Sequence, residues 1–370
     1  MLRFLTAGES HGPALTGILD GMPAGLELDL EQINADLARR QGGHGRSGRQ
    51  RIEHDEAIFL GGVEAGKTTG APIAIRIENL DYPRQQAREK PVLTVPRPGH
   101  ADLAGAIKYR LDDMRTVLER ASARETAMRV AAGALARMLL AAFDIVVAGQ
   151  VVAIGEEEAV PADLADVDAR GRVRGSAVYV ADLATGERMV ERIDRARQER
   201  DTLGGIFEVQ VLNAPIGLGS YVQWDRKLDG RLAQALMSIQ AIKGVEIGPA
   251  FANARTPGTQ VHDAIRPASE GFQRPTNRAG GLEGGVTNGQ PIVVRAAMKP
   301  ISTTLTPMPS IDVRTGEPAL AHYQRSDICA VPAAMVVGEA MVAFVIADAL
   351  LEKVGGDSVA EMRERLELMR

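Results

Sequence analysis

The stretch Gly61-Gly62-Val63-Glu64-Ala65-Gly66-Lys67-Thr68-Thr69-Gly70-Ala71-Pro72-Ile73-Ala74-Ile75-Arg76 has a counterpart later in this 370-residue chain. The second copy is Gly280-Gly281-Leu282-Glu283-Gly284-Gly285-Val286-Thr287-Asn288-Gly289-Gln290-Pro291-Ile292-Val293-Val294-Arg295, at a constant offset of 219 residues (280 minus 61). Each copy predicts a glycine-rich turn that leads into a β-branched strand. The repetition predicts a fold made of two related halves.

Amphipathic helices are predicted before both copies. Asp29 is a suitable N-cap for a helix whose apolar positions include Ile33 and Leu37. Before the second copy, Leu228, Leu232, Leu236 and Ile239 recur at helical spacing, and Gly244 is a suitable residue to end that helix.

Long helices rich in Ala and Met are predicted after both copies, over 123–143 and 332–351. The second approaches the length of a membrane span, but it is interrupted by Glu339 and Asp348. A buried core helix is therefore the better interpretation. We expect a single domain over 1–370, in which halves of about 1–145 and 200–370 are separated by a charged surface excursion at about 155–200.

Composition restricts the class of protein. Apolar residues make up 45% and charged residues 25%, as in ordinary soluble globular proteins. Cys329 is the single cysteine, so no internal disulfide is possible, and the N-terminus lacks a signal-peptide pattern. The net charge of −5 disfavours broad nucleic-acid binding. We expect a cytoplasmic protein that binds neither membrane nor nucleic acid.

The first copy of the repeat also satisfies the Gly-x4-Gly-Lys-Thr pattern of a phosphate-binding P-loop, over 61–68. That motif needs a helix directly after it, because the helix N-terminus holds the phosphates. Here Pro72 and alternating isoleucines predict a strand, and Val286 stands where Lys67 would recur. A P-loop phosphotransferase is therefore a disfavoured alternative, and activity retained by Lys67→Ala would exclude it.

Two histidines lie in glycine-containing turns, in Gly8-Glu9-Ser10-His11-Gly12 and in Arg97-Pro98-Gly99-His100-Ala101-Asp102. Glycine gives little steric cover, so a ligand can approach the ring closely. Histidine is also suited to proton transfer near neutral pH. The six histidines show no metal-ligand spacing, and no metal is expected.

Several basic segments are typical of sites for phosphate and carboxylate groups. Residues 39–51 place five arginines on glycine-spaced backbone, and Arg120-Ala121-Ser122-Ala123-Arg124-Glu125-Thr126 stands at a predicted helix start. Lys299-Pro300-Ile301-Ser302-Thr303-Thr304 and Arg325-Ser326-Asp327 are further polar clusters. An RNA-binding module is the second alternative. This alternative predicts that the affinity for nucleic acid falls steeply with salt concentration, and it leaves both glycine-flanked histidines unexplained.

These segments, together with Gly244-Val245-Glu246-Ile247-Gly248, resemble the chorismate synthase family in order from about residue 1 to 350. The resemblance implies an anti-1,4 elimination of phosphate from 5-enolpyruvylshikimate 3-phosphate, which gives chorismate, the last step of the shikimate pathway. It implies reduced FMN as cofactor without net redox change. It also implies an α+β fold, a layered β-α-β sandwich with helices between antiparallel sheets, and a homotetramer.

The resemblance assigns roles at matching positions. His11 matches the general acid for the leaving phosphate, His100 a group near flavin N1, and Asp327 a residue beside flavin N5. Substrate or NADPH contacts match Arg40, Arg46, Arg49 and Arg124, and Arg325 is also suited to hold the substrate. FMN contacts match Arg120, Ala121, Ser122, Gln240, Ala241, Gly284, Lys299, Pro300, Ile301, Ser302, Thr303 and Arg325. The sequence leaves open whether NADPH reduces the flavin on this chain or a separate reductase does so.

Overall fold

A computed structural model of the chain describes residues 1–47, 54–86, 91–269, 271–321 and 326–368. The fold is α+β. The strands are β1 (Arg3–Ala7), β2 (Ala14–Asp20), β3 (Ile58–Gly61), β4 (Val63–Glu64), β5 (Lys67–Thr68), β6 (Ile73–Glu78), β7 (Val146–Ile154), β8 (Glu157–Glu158), β9 (Gly205–Leu212), β10 (Ile242–Ile247), β11 (Arg266–Pro267), β12 (Phe272–Gln273), β13 (Leu282–Glu283), β14 (Val286–Thr287), β15 (Ile292–Met298), β16 (Pro309–Ile311) and β17 (Pro318–Leu320). The helices are α1 (Leu30–Gln41), α2 (Tyr82–Gln86), α3 (Asp102–Tyr109), α4 (Arg115–Ala121), α5 (Thr126–Ala141), α6 (Val167–Gly175), α7 (Leu183–Gln198), α8 (Leu228–Met237), α9 (Ala250–Asn253), α10 (Gly258–Val261), α11 (Val331–Val354) and α12 (Val359–Leu368).

The longer strands form two antiparallel sheets. One has the order β1-β2-β6-β3 and the other β10-β15-β9-β7-β8. In β2 and β6 every second residue is buried, and Leu15, Leu19 and Ile75 point to the core. Helix α5 packs against the first sheet, α11 packs against the second, and the two helices pack against each other.

The two copies of the repeat make corresponding hydrogen bonds. The Thr68 N–H donates to the Leu26 carbonyl, and the Thr287 N–H to the Leu218 carbonyl, both at 3.0 Å. In return, the leucine N–H groups donate to the threonine Oγ1 atoms at 2.9 and 2.8 Å. Each copy is a short hairpin, β4–β5 or β13–β14, followed by a long strand.

Helix α11 is long and apolar enough to cross a membrane, but 94% of its most apolar window is buried inside the protein. The charged Glu339 is tolerated inside this apolar helix because its carboxylate has partners in the core. Arg39 on α1 donates to both Glu339 carboxylate oxygens, at 2.8 and 3.2 Å, and the Gly149 N–H donates to Oε1 at 2.6 Å. Burial alone would raise the pKa of Glu339, but Arg39 and Arg137 lower it below its usual value. The carboxylate thus ties α1, α5, α11 and β7 together.

The charged stretch at about 155–200 contains α6 and α7 and lies along β7 and β8. Gln150 on β7 exchanges hydrogen bonds with Ala162, and Gln210 on β9 accepts from the Leu164 N–H. Met189 and Ile193 of α7 are fully buried. The stretch therefore has a charged exposed side and an apolar side that joins the core.

One predicted boundary is wrong. Helix α8 ends at Met237, and Gly244 lies inside β10 rather than at a helix end. Residues 242–247 pair with β15, and the register shifts between Ile242 and Gly244. Glycine is typical of such an irregularity, so this residue marks a bulge in a strand.

Candidate active site

Fourteen of the residues that the sequence nominates line a single cavity of about 880 Å³, here called the central cavity. They are His11, Arg40, Arg46, His100, Ala121, Ser122, Arg124, Gln240, Ala241, Lys299, Ile301, Ser302, Thr303 and Asp327. The starts of α5 and α11 border the cavity at Thr126 and Ala333, so two helix N-termini contribute positive potential.

His11 is held by Glu119, which lies on α4. The Glu119 carboxylate lies 2.9 and 3.0 Å from His11 Nδ1 and accepts the His11 backbone N–H at 2.8 Å. Asn79 donates to the Gly12 carbonyl at 2.7 Å and thereby holds the same turn. The ring is therefore fixed by its Nδ1 edge at the wall of the central cavity.

His100 is held by the Asp102 carboxylate, which lies 2.5 Å from His100 Nδ1. Arg97 Nη2 lies 3.0 Å from the same nitrogen, and it can only donate. Burial would raise the pKa of Asp102, but hydrogen bonds from His100 and Arg97 hold it well below its usual range. Because Asp102 is ionised and closer, we assign His100 Nδ1 as a donor to Asp102 rather than an acceptor from Arg97.

Arg40 and Arg124 are both almost fully buried at the back of the central cavity. Asp55, which is itself buried, accepts from Arg124 Nη1 at 2.5 Å and from Arg40 Nη1 at 3.4 Å. Arg40 also donates to Thr126 Oγ1 and to the Ala123 carbonyl, at 2.9 and 3.0 Å. Burial lowers the pKa of Arg40 to about 10, which leaves it charged at neutral pH.

Arg46 and Asp327 form an ion pair at the cavity wall, with 2.5 Å between Arg46 Nη1 and Asp327 Oδ2. The Ser47 N–H donates to the other Asp327 oxygen at 2.7 Å. Behind this pair Cys329 is fully buried, and burial raises the pKa of its thiol to about 12. Of the described arginines in the basic segment 39–51, Arg40 and Arg46 thus line the central cavity, whereas Arg39 pairs with Glu339.

Another part of the cavity wall combines apolar and polar surface. Ile239, Met298 and Val337 line it together with other small apolar side chains. Gln240 donates through Nε2 to Glu125 at 3.4 Å, and its buried Oε1 has no partner among the described residues. Ala241 beside it has a φ of +66°, an unusual value for a residue other than glycine.

Cations complete this wall. Lys299 Nζ donates to the Gly99 carbonyl at 3.0 Å, and Arg97 donates to Thr303 Oγ1 at 3.2 Å. A planar apolar ring that carries N–H groups and a phosphate fits such a set: the wall offers apolar contact, a buried acceptor without a partner and two cations. The residues present therefore fit a flavin nucleotide.

Not every nominated residue lines the central cavity. Arg120 donates to the carbonyls of Thr6 and Gly8, at 2.7 and 3.1 Å, and lines a smaller cavity that shares Gln240. Gly284 lies in the turn of the β13–β14 hairpin, and Pro300 lies between two lining residues. Arg49 and Arg325 lie outside the described residues.

The sequence did not nominate Glu119 and Asp55, because nothing in a local pattern links them to partners 108 and 69 residues away. Arg84 and Arg115 also line the central cavity without having been singled out. The Arg115 Nε is buried and has no hydrogen-bond partner among the described residues, although it lies 4.0 Å from Asp113 Oδ2. No group of His, Cys, Asp and Glu that could hold a metal occurs in the part of the chain that the structure describes.

The P-loop alternative has no structural counterpart. Residues 63–68 form the β4–β5 hairpin, and a strand follows them, not a helix. Lys67 pairs with Glu27 at 2.9 Å, and both side chains are exposed. Without a helix N-terminus behind the turn, the pattern cannot form a phosphate cradle of that kind.

Comparison with known proteins agrees with the site. The family model "Chorismate synthase" matches residues 2–351. The chain is 55% identical to "Chorismate synthase" of Desulforamulus reducens, over 99% of this chain and 97% of that protein. It is also 55% identical to the protein of that name in Moorella thermoacetica, over 100% and 98%. A crystal structure described as chorismate synthase is similar with a TM-score of 0.81 and 45% identity, over 100% of this chain and 97% of that one.

Proposed function

The chain belongs to the chorismate synthase family, and from this we infer that the central cavity is where it carries out the reaction of that family. It is a carbon–oxygen lyase of the shikimate pathway, EC 4.2.3.5. The reaction is an anti-1,4 elimination that converts 5-enolpyruvylshikimate 3-phosphate into chorismate and phosphate. We assign substrate binding, protonation of the leaving phosphate and cofactor binding to particular residues of the cavity.

Substrate binding rests on the charge of the cavity. The substrate carries a phosphate and two carboxylates, and the described lining residues include seven Arg and Lys against three Asp and Glu. Arg40, Arg46 and Arg124 would hold the anionic groups through paired N–H donors, and we propose the same for Arg49 and Arg325. The observation that carries this assignment is the enclosure of buried arginines in one cavity with two histidines.

His11 would protonate the leaving phosphate. As the C–O bond breaks, the electron pair stays on the departing oxygen, and a proton from the imidazolium neutralises part of its charge. Loss of that proton leaves a neutral ring that still donates from Nδ1 to Glu119. The arrangement is suited to an acid that is restored by solvent after product leaves.

Reduced FMN is the proposed cofactor, with NADPH as a possible source of its electrons. When bound, reduced FMN supplies electron density to the allylic system of the substrate without net redox change. Gln240, Ala241, Lys299 and the segment 301–303 would hold it against the apolar wall, and Arg120 would contact it from the smaller cavity that shares Gln240. A contact of FMN with Gly284, in the turn of the β13–β14 hairpin, rests on the resemblance alone. His100 and Asp327 would hold protons beside it.

We propose that the two sheets enclose the helices as a β-α-β sandwich in which the halves are related by a pseudo-two-fold axis. The corresponding hydrogen bonds of the two hairpins support this arrangement. We further propose a cytoplasmic homotetramer. Exposed apolar residues on the first sheet, Leu5, Ile18 and Leu60, support burial of that face against another subunit. Sedimentation velocity tests it: a monomer at micromolar concentration would contradict the tetramer.

The acid role is tested in an anaerobic assay with the substrate and photoreduced FMN, with and without NADPH. His11→Ala and His100→Ala should each slow turnover by about 10- to 10⁴-fold, the range for losing a positioned acid. Both variants should still bind substrate and FMN. Wild-type turnover of the double variant would remove acid catalysis by these residues.

A further inference from the structure

The two cavity histidines are built on the same plan. Each presents Nδ1 to a carboxylate carried by a helix: Glu119 of α4 for His11 and Asp102 of α3 for His100. Both carboxylates are themselves largely buried, with side-chain exposures of 11% and 4%. Because two such pairs, made by different segments, lie at one cavity, we infer that both histidine rings need an acceptor at Nδ1.

That requirement follows from the chemistry of the ring. A neutral imidazole carries its proton on either nitrogen, and a carboxylate next to Nδ1 favours the Nδ1–H form. A histidine that donates a proton from Nε2 must end the step as the Nδ1–H tautomer, with the lone pair on Nε2. An anionic acceptor at Nδ1 therefore stabilises both the protonated ring and the product of proton transfer.

We propose that Glu119 and Asp102 are positioning residues that fix the tautomer and orientation of His11 and His100, so that Nε2 of each ring exchanges protons. This rests on the proposed function, in which both histidines transfer or hold protons at the cavity. Neither carboxylate touches substrate in this account. Each acts only through its histidine.

A purely structural role makes different predictions. Glu119 also accepts the His11 backbone N–H, and Asp102 accepts from the Arg97 N–H and side chain, so each carboxylate also holds a turn. Loss of a turn would lower stability and substrate affinity whichever histidine is present. Loss of a tautomer would matter only when that histidine is present.

The experiment is a pair of double-mutant cycles under single-turnover conditions with substrate and photoreduced FMN. Glu119→Gln and Asp102→Asn keep the shape and an acceptor oxygen for the backbone N–H, but their amide groups can donate to Nδ1. Each should slow phosphate release by no more than the loss of its histidine does, and by at most about 10⁴-fold, the cost of a wrong histidine tautomer in a catalytic triad. Adding Glu119→Gln to His11→Ala should lower the rate of phosphate release by less than a further twofold. Adding Asp102→Asn to His100→Ala should likewise lower it by less than a further twofold.

The crossed combinations are the matched controls. Glu119→Gln should keep its full effect in His100→Ala, and Asp102→Asn should keep its full effect in His11→Ala. If a carboxylate substitution lowered the rate as much in the variant that lacks its own histidine as in the wild type, the proposal would be overturned. The carboxylate would then act on something other than its histidine. If His11→Ala is slow but Glu119→Gln turns over like the wild type, the positioning role fails while the acid role stands. Wild-type turnover of His11→Ala contradicts the proposed function instead.

A second readout needs no cofactor or substrate. In protein labelled with ¹⁵N-histidine, at a pH where the rings are neutral, the Nδ1 signals of His11 and His100 should be those of a protonated nitrogen. Glu119→Gln should move the proton of His11 to Nε2 and leave His100 unchanged, and Asp102→Asn should do the reverse. Unchanged tautomers in folded variants would overturn the proposal.

Discussion

At the scale of single residues, Asp55 determines how two positive charges share one buried position. Its carboxylate contacts the guanidiniums of Arg40 and Arg124, which would otherwise repel each other in a region with little water. Removing one member of a buried ion pair leaves the rest unsatisfied, which costs far more than the pair contributed. Asp55 therefore holds the Arg40 and Arg124 guanidiniums in place beside the central cavity.

Asp55→Asn should lower the free energy of unfolding by about 3–5 kcal/mol, the usual cost of leaving a buried charge without its partner. Urea denaturation monitored by circular dichroism measures this change. Asp20→Asn is the control, since Asp20 is exposed at the end of β2, and its effect should stay within about 0.5 kcal/mol. A loss below about 1 kcal/mol for Asp55→Asn would contradict this role for the carboxylate.

Asp102 should make stability depend on pH in the acid range. Its folded pKa is depressed, so the folded state loses a proton more readily than the unfolded state does. Its contribution is complete above the unfolded pKa of about 3.9 and disappears as the pH falls towards the folded value. Between about pH 5 and pH 2 the wild type should lose more unfolding free energy than Asp102→Asn. Parallel curves for the two proteins would show that Asp102 is not the group responsible.

At the scale of elements, the contact between α5 and α11 depends on glycine. A methyl group built on Gly133 would lie 2.5 Å from the Ala340 Cα, a distance that real contacts do not show. Because the obstructing atom belongs to the backbone of a buried helix, it cannot move away without separating the helices. Gly133 therefore sets the distance between α5 and α11. Since the N-terminus of α11 borders the central cavity, this distance also affects where that N-terminus lies.

Gly133→Ala should lower the free energy of unfolding by about 1–3 kcal/mol through overpacking, despite the better helix propensity of alanine. Gly171→Ala on α6 is the matched control, because a methyl group there meets no atom within 4 Å. The control should gain about 0.5–1 kcal/mol from helix propensity alone. If both substitutions stabilise the protein, the close approach of α5 and α11 is not limiting.

The sequence predicted elements well where the signal is local. Asp29 caps α1 by accepting from the Gln32 N–H, and the repeated stretch folds into the hairpins and strands that its glycines and β-branched residues indicate. The end of α8 was missed because Gly244 serves a bulge whose partner strand lies further along the chain, at Ile292–Met298. Glu119 and Asp55 were missed for the same reason: tertiary contact, not spacing, gives these carboxylates their partners.

At the scale of the whole molecule, the chain has an acidic net charge of −5, but among the charged residues that line its central cavity seven are Arg or Lys and three are Asp or Glu. Such a distribution concentrates attraction for anions in one place. Substrate and FMN are both anions, and each reduces the repulsion among the arginines. We therefore expect the two ligands to favour each other's binding once they share the cavity.

Substrate should tighten FMN binding by about 1–3 kcal/mol, a typical coupling free energy between two sites. Calorimetric titration of FMN, with and without saturating substrate, measures it. Arg46→Ala should reduce the coupling more than it reduces the affinity for FMN alone. Arg188→Ala, which removes a surface partner of Glu157, is the control and should change neither. Equal FMN affinity with and without substrate would contradict the coupling.

Because Cys329 is buried, the rate at which its thiol reacts with a reagent measures local opening of the structure around it. Its backbone follows Ile328, whose N–H donates to the Gly45 carbonyl at 2.8 Å, and a methyl group on Gly45 would touch the Cys329 Cβ at 3.1 Å. Leu203 forms a backbone bridge with Cys329 from another segment. We expect an alkylating reagent to reach the sulfur only when the segments packed over it, including the one that carries Arg46, separate. The rate of thiol labelling should therefore report how often these segments separate, and we expect bound substrate and FMN to slow it.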